Sequence, residues 1–218
     1  MPNPELHDIL VRLPVLLLSL TLHEIAHGFA AFKLGDLTAK KDGRLSLNPI
    51  RHLDPIGFLL LLMYQFGWAK PVRVNPNNLK NPKKDMAIIS LAGPITNIAL
   101  SVLFFIPWFI LQISEILPNL PIYLNSVLET GLFINISLAV FNILPVPPLD
   151  GSKVLGSLLP DHIYYKTVMF NPGLGILVLL LLSFTGFLSK VIIPMINSVF
   201  QLYVFVASLI VALLRYMI

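Results

Sequence analysis

Long apolar segments alternate along this chain with short connections that are polar and rich in proline. A membrane-spanning helix needs about 20 predominantly apolar residues. The segments that approach or exceed this length are residues 9–34, 86–113, 123–144, 173–188 and 191–214. A further apolar run, residues 56–66, has about a dozen residues, and a run this short favours a re-entrant segment over a span. We therefore predict an all-α polytopic membrane protein with about five transmembrane helices plus a re-entrant segment.

Two of the polar connections have the residue pattern of short strands. Apolar and polar residues alternate in segment 43–49, and they alternate again between the prolines of segment 68–78. Alternation favours a half-buried strand, and the prolines favour a position at a sheet edge. We therefore predict short membrane-associated β-strands in these two connections, with an edge loop as the alternative for the second.

The helical pattern continues without an internal repeat or a low-complexity tract. We expect a single membrane-embedded domain over residues 1–218. Its core is predicted at residues 9–160, and a C-terminal helical pair is predicted at residues 173–214.

The composition supports the membrane assignment. Hydrophobic residues make up 56% of the chain and charged residues 12%, whereas globular proteins contain about 25% charged residues. This composition lies far outside the range of soluble proteins. The absence of cysteine excludes thiolate metal ligands, disulfides and a cysteine nucleophile. The net charge is +4, but the basic residues are not clustered with aromatic residues on a soluble face, so we expect no nucleic-acid partner.

The distribution of basic residues predicts an orientation in the bilayer. If segment 9–34 runs inward and segment 56–66 re-enters, all 15 basic residues except Arg12 and Lys190 lie on the cytoplasmic side. This bias agrees with the positive-inside rule. We expect a multi-pass protein of a prokaryotic cell membrane, with the end of the first helix and Asp150 both toward the cytoplasm.

The first apolar segment contains the sequence His-Glu-Ile-Ala-His at residues 23–27. On a helix, His23 and His27 project from one face and can share one metal ion, and Glu24 can reach a metal-bound water. A histidine on an apolar face is also commonly a hydrogen-bonded core residue. Ionisable groups are costly in a membrane span, however, and they usually mark a functional site.

A catalytic zinc site needs a third protein ligand, and Asp150 is the candidate. It follows Pro147 and Pro148, which cannot continue a helix, so the backbone must unwind there. Irregular backbone at membrane depth is tolerated where protein or a cavity covers it. Because Asp-Gly is also a common turn signal, a helix cap or turn is the alternative role. We expect Zn²⁺, although nitrogen and oxygen ligands also accept iron or cobalt.

A second pair of chemically versatile residues, His52 and Asp54, lies in the basic connection. The pair could form a second metal site or a gate. A loop with this spacing more often caps a turn.

Together these motifs resemble the site-2 protease family of intramembrane zinc metallopeptidases. Residues 23–27 match the metal motif in its first core helix. Residues 142–151 match a second signature, in which an asparagine precedes the ligating aspartate by eight positions. Residues 92–97 are similar to its intervening helix. Residues 48–57 and 67–72 resemble its compact prokaryotic branch, which lacks PDZ and nucleotide-sensing domains.

The resemblance implies that His23, His27 and Asp150 hold zinc, that Glu24 is the general base, and that Asn142 helps to hold the oxyanion. It also implies that the substrate is a transmembrane protein or peptide, cleaved within or near its membrane segment in the lipid bilayer. The oligomeric state is left open. A membrane metal-binding or transport protein using the same ligands is the alternative, because intramembrane histidines and carboxylates also line ion pathways. Convergence on one site and the presence of Glu24 favour the protease.

Overall fold

A computed structural model describes residues 4–57, 59, 69–113, 122–162 and 172–217 of the chain. The helices whose bounds fall within the described residues are numbered in chain order. They are α1 Pro4–Lys33, α2 Thr38–Lys41, α3 Pro82–Ile113, α4 Ile122–Asn142, α5 Asp150–Leu158, α6 Pro172–Phe184 and α7 Phe187–Met217. Two 3₁₀ turns, Pro49–His52 and Pro76–Asn78, interrupt the connection between α2 and α3.

The described helices confirm an all-α membrane protein. Stretches long and apolar enough to cross a bilayer occur in α1, α3, α4 and α7, at Ile9–Lys33, Pro82–Ile113, Tyr123–Asn142 and Phe187–Tyr216. The predicted count of about five spans is not confirmed. At about 1.5 Å per residue, the 13 residues of α6 cover about 20 Å, less than the roughly 30 Å hydrocarbon core. Most of the predicted re-entrant segment, 56–66, lies outside the described residues.

The two predicted strands are not confirmed in the part of the chain that the structure describes. Pairing there consists of one isolated antiparallel bridge, between Leu53 and Ala69. Asparagine side chains explain the difference, because they favour turns. Asn48 accepts a hydrogen bond from the Ile50 amide at 3.0 Å, and it thereby caps the first 3₁₀ turn.

The second 3₁₀ turn forms in the same way. Asn75 caps it by accepting a hydrogen bond from the Asn77 amide at 3.1 Å. The next residue, Pro76, has no N–H to donate to a strand ladder. Local side-chain bonds therefore replace the sheet that the alternation predicted.

Helix α3 is central to the packing. It contacts α1, α4, α5 and α7 among the described elements. Its neighbour α5 is short, and it presents its first turn to α1 and α3. The arrangement brings residues from α1, α3 and α5 together in the interior of the protein.

A buried carboxylate fixes the connection that follows α1. Asp36 is fully buried, and its carboxylate accepts hydrogen bonds from the Thr38 amide at 3.1 Å, the Thr38 hydroxyl at 2.6 Å, the Asn75 amide at 2.8 Å and the Asn78 side chain at 2.7 Å. Burial alone would raise the pKa of Asp36, but the bonds from Thr38, Asn78 and Asn75 outweigh it and hold the pKa below its ordinary value of 3.8. Residues 75–78 are thereby tied to the end of α1.

We predict that Asp36→Asn lowers the free energy of unfolding by about 1.5–3 kcal/mol, the usual range for hydrogen bonds to a buried charged group. The side-chain amide introduced at position 36 would place its NH₂ donor against one of the N–H groups whose hydrogen bonds the carboxylate accepts. Asp42, exposed at the other end of α2, provides the matched control, and Asp42→Asn should leave stability unchanged. Thermal unfolding in detergent at pH 7 measures both.

The same carboxylate predicts a pH dependence. Because its folded-state pKa is depressed, its contribution is complete above the ordinary value of 3.8 and is lost as pH falls through the folded value. The difference in melting temperature between the wild type and Asp36→Asn should therefore shrink as pH falls below 3.8. A difference that is equally large in strong acid would contradict this account.

Candidate metal centre

His23, His27 and Asp150 converge in the interior, where all three are buried. The two Nε2 atoms lie 3.0 Å apart. Oδ2 of Asp150 lies 3.4 Å from Nε2 of His23 and 3.1 Å from Nε2 of His27. Zinc bonds of about 2.0–2.2 Å in a tetrahedron place neighbouring ligand atoms about 3.3 Å apart. The three side chains therefore fit one zinc ion and leave the fourth position for water or substrate.

The local sequence explains how the ligands reach this geometry. His23 and His27 are four residues apart on α1, so both project toward α3. Asp150 occupies the first turn of α5, after α4 has ended and the chain has unwound at residues 143–149. Gly151 permits the close return of the backbone, because a Cβ there would lie 2.6 Å from the Leu144 carbonyl oxygen.

The cap role considered for Asp150 does not match this geometry. The N-cap residue of α5 is Leu149, and it makes no side-chain cap bond. The Asp150 carboxylate instead faces the two imidazoles through Oδ2. Its other oxygen, Oδ1, lies 3.6 Å from Nζ of Lys153. Lys153 thus engages Oδ1 of Asp150, and Oδ2 remains available to a metal ion.

Each imidazole is also held from its far side. Nδ1 of His27 donates to the backbone carbonyl of Ile89 at 2.7 Å, and a carbonyl oxygen can only accept. Nδ1 of His27 therefore carries a proton, and Nε2 is the ring nitrogen that faces Asp150. Nδ1 of His23 meets Oδ1 of Asn97 at 2.5 Å. Such outer partners orient metal-binding histidines.

Glu24 is buried beside the two histidines on α1. Its Oε2 accepts a hydrogen bond from the Val72 amide at 2.8 Å. The Arg44 guanidinium in turn fixes the segment before Val72, because Nη2 donates to the carbonyls of Lys70 and Pro71 at 3.1 and 3.2 Å. The connection between α2 and α3 thus orients the glutamate carboxylate.

Asn142 is not hydrogen-bonded to the three converging side chains in the described structure. Its Nδ2 donates to the Leu138 carbonyl at 3.0 Å, one turn back along α4. This bond corresponds to the structural role of an amide that satisfies a carbonyl near a helix end. A role in holding the oxyanion stays a prediction.

His52 and Asp54 have structural partners. Asp54 Oδ1 accepts from the amides of Ile56 and Gly57 at 3.1 and 2.9 Å, so it caps a turn. Nε2 of the buried His52 donates to the Ser46 carbonyl at 2.8 Å. In the described ranges, neither residue belongs to the group of possible metal ligands.

Three contributors to the site were not assigned from the sequence. The Val72 amide is a backbone donor and leaves no residue signal. Lys153 follows Asp150 by three residues, so helical spacing from Asp150 would have indicated it. Gly93 lies in segment 92–97, and its close packing against the two imidazoles is a tertiary contact that the sequence does not encode.

Several known proteins are similar in sequence to this chain. The family model of peptidase family M50 matches residues 12–182. The chain is 40% identical over 188 residues to the putative zinc metalloprotease YwhC of Bacillus subtilis, covering 84% of each chain. It is 31% identical to the putative zinc metalloprotease Rip2 of Mycolicibacterium smegmatis, over 64% of this chain and 53% of that protein. It is 33% identical to the putative zinc metalloprotease MJ0611 of Methanocaldococcus jannaschii, over 61% and 62%. No solved structure matches the chain significantly.

The chain belongs to peptidase family M50, the site-2 protease family. It is a membrane protein and a zinc metalloprotease. The family, the enzyme class and the zinc cofactor predicted from the sequence are thereby confirmed.

Gly93 generates a direct test of the centre. A Cβ on Gly93 would collide with Nε2 of His27 and would lie 2.6 Å from Nε2 of His23. Because the Nδ1 bonds prevent both rings from moving away, Gly93→Ala should weaken zinc binding at least about 10-fold, the scale of lost ligand orientation. Chelator competition on purified protein measures the affinity.

Ser90, one turn earlier on α3, provides the control. It is buried, and its hydroxyl has no hydrogen-bond partner in the part of the chain described here. Ser90→Ala should therefore retain wild-type zinc affinity. Equal zinc affinity in Gly93→Ala and the wild type would contradict the packing of α3 against the ligands.

Proposed function

We propose that this protease cleaves its substrates inside the membrane, hydrolysing peptide bonds within or near transmembrane segments of other membrane proteins. The observation that carries the proposal is the position of the site. Two of its three candidate ligands and Glu24 lie within Ile9–Lys33, a helix of membrane-spanning length and composition. A catalytic group placed there reaches peptide bonds that are also in the bilayer.

The residues take separate roles in the proposed reaction. His23, His27 and Asp150 would hold the ion, which when bound supplies Lewis-acid activation of water and of the substrate carbonyl. Glu24 accepts the proton of the attacking water and returns it to the leaving amine. Because Val72 occupies Oε2 of Glu24, we assign the proton transfer to Oε1.

Asn142 is the proposed donor to the oxyanion. Its Nδ2 is bonded to the Leu138 carbonyl, so this role requires the side chain to turn away from its own helix. The new hydrogen bond would stabilise a charged intermediate in a low-dielectric site, because an oxyanion accepts a stronger hydrogen bond than a carbonyl.

We further propose that the site faces the cytoplasmic half of the bilayer. His23 and His27 lie in the second half of α1, and the basic connection containing Lys40, Lys41 and Arg44 follows at that end of the helix. Basic connections favour the cytoplasmic side. The expected partners are therefore a transmembrane substrate and the lipid bilayer.

Substitution of the proposed base separates proteolysis from metal binding. Glu24→Gln should lower the cleavage rate by about 10²–10⁴-fold, the usual contribution of a general acid–base group. Bound zinc should remain near the wild-type amount, because Glu24 is not among the converging ligands. The measurement is cleavage of a panel of single-span substrates in detergent, with zinc quantified on the same samples.

Glu129→Gln provides a matched control, since Glu129 is an exposed carboxylate on a different membrane-spanning helix, α4. It should keep both cleavage and zinc. Wild-type cleavage by Glu24→Gln would exclude Glu24 as the base. Full zinc with no cleavage by any form of the protein would favour the metal-binding or transport function.

A further inference from the structure

A continuous line of hydrogen bonds leads from His23 into the helix bundle. Oδ1 of Asn97 on α3 bonds Nδ1 of His23 at 2.5 Å, and Nδ2 of Asn97 bonds Oδ1 of Asn135 on α4 at 2.8 Å. Nδ2 of Asn135 then reaches Oγ of Ser19 on α1 at 2.9 Å. The line begins and ends on α1 and passes through the two helices packed against it.

These side chains are sealed from solvent. Asn97 and Asn135 are 0% exposed and Ser19 is 1% exposed. A buried amide without partners costs several kcal/mol in an apolar medium, so each group is constrained to keep its bonds. A buried line of hydrogen bonds has few alternative arrangements, so the position of each side chain in it constrains the position of the next.

Backbone carbonyls at its far end fix the direction of every bond. Nδ2 of Asn135 also bonds the Gly131 carbonyl at 2.8 Å, and the Ser19 hydroxyl donates to the Val15 carbonyl at 2.8 Å. Because carbonyls only accept, the Asn135 amino group must be the donor, and its Oδ1 must accept from Asn97. The remaining Asn97 atom, Oδ1, must then accept from His23.

We propose that Asn97 and Asn135 are positioning residues of the metal centre, which together hold His23 as the Nδ1–H tautomer with Nε2 free for the ion. The acceptor is an amide, not the carboxylate that often supports metal-binding histidines. His23 therefore gains orientation without an added negative charge. The proposal rests on the ligand set of the proposed function, but not on the substrate or on Glu24.

His27 and His23 are oriented by different kinds of partner. His27 is oriented by the Ile89 backbone carbonyl, which side-chain substitution cannot remove. His23 depends on side chains from two other helices. Substitutions at Asn97 and Asn135 should therefore disturb one ligand while the other keeps its support.

The experiment measures zinc affinity by chelator competition and the visible absorption of the Co²⁺-loaded protein, neither of which needs proteolysis. Asn97→Ala should weaken zinc binding about 10–100-fold, the usual effect of losing an outer-shell partner. Asn135→Ala, which does not touch His23, should weaken binding less and should shift the Co²⁺ spectrum in the same direction. The double variant should resemble Asn97→Ala, because Asn135 acts through Asn97.

The chain contains a matched control in the bond between Gln112 and Asn125, which also joins α3 to α4 through two side-chain amides, at 2.9 Å. Asn125→Ala should leave zinc affinity and the Co²⁺ spectrum unchanged. If Asn97→Ala fails to fold, Asn135→Ala beside Asn125→Ala tests the same claim.

Two outcomes would overturn the proposal. One is that Asn135→Ala gives the same zinc affinity and the same Co²⁺ spectrum as the control Asn125→Ala. Asn135 would then have only a structural role. The other is an additive double variant, which would mean that Asn135 does not act through Asn97. A wild-type protein that binds no zinc would instead overturn the ligand set and, with it, the proposed function.

Discussion

The buried contact between two imidazoles and one carboxylate is the constraint on which the rest of the structure depends. Buried ionisable groups are costly unless they are paired or bind an ion. The surrounding structure serves this contact. Helix α3 packs closely against the imidazoles because Gly93 has no side chain. The unwound segment after α4 places Asp150 beside the imidazoles. The hydrogen bonds of Asp36 hold the connection that contains Val72 against the end of α1.

Outer contacts determine what the centre can do. Each of the three converging side chains has a partner on its far side, and the partners are of three kinds. A backbone carbonyl supports His27, a side-chain amide supports His23, and the Lys153 cation lies beside Asp150. None adds negative charge to the centre, so a bound ion would keep a net positive charge and remain a strong Lewis acid.

The sequence predicted those parts of the site that depend on the spacing of residues along a helix or on a charged residue in an apolar chain. The four-residue spacing of His23 and His27 places them on one helical face in any helix, and Asp150 is a rare acid beside a helix-breaking proline pair. Other parts depend on tertiary contacts that pattern does not encode. Alternation suggested strands, but Asn48 and Asn75 bond their own backbone and form 3₁₀ turns. The Val72 amide and the orientation of Asn97 become visible once α1, α3 and the connection are packed together.

X-ray absorption at the zinc edge tests the central claim most directly, with zinc-loaded wild type compared with His27→Ala in detergent. The account predicts a first shell of nitrogen and oxygen at about 2.0–2.2 Å without sulfur, with two imidazoles in the wild type. The His27→Ala protein should retain one imidazole. A single imidazole in the wild type, or identical spectra from the two proteins, would contradict the convergence of His23, His27 and Asp150 on one ion.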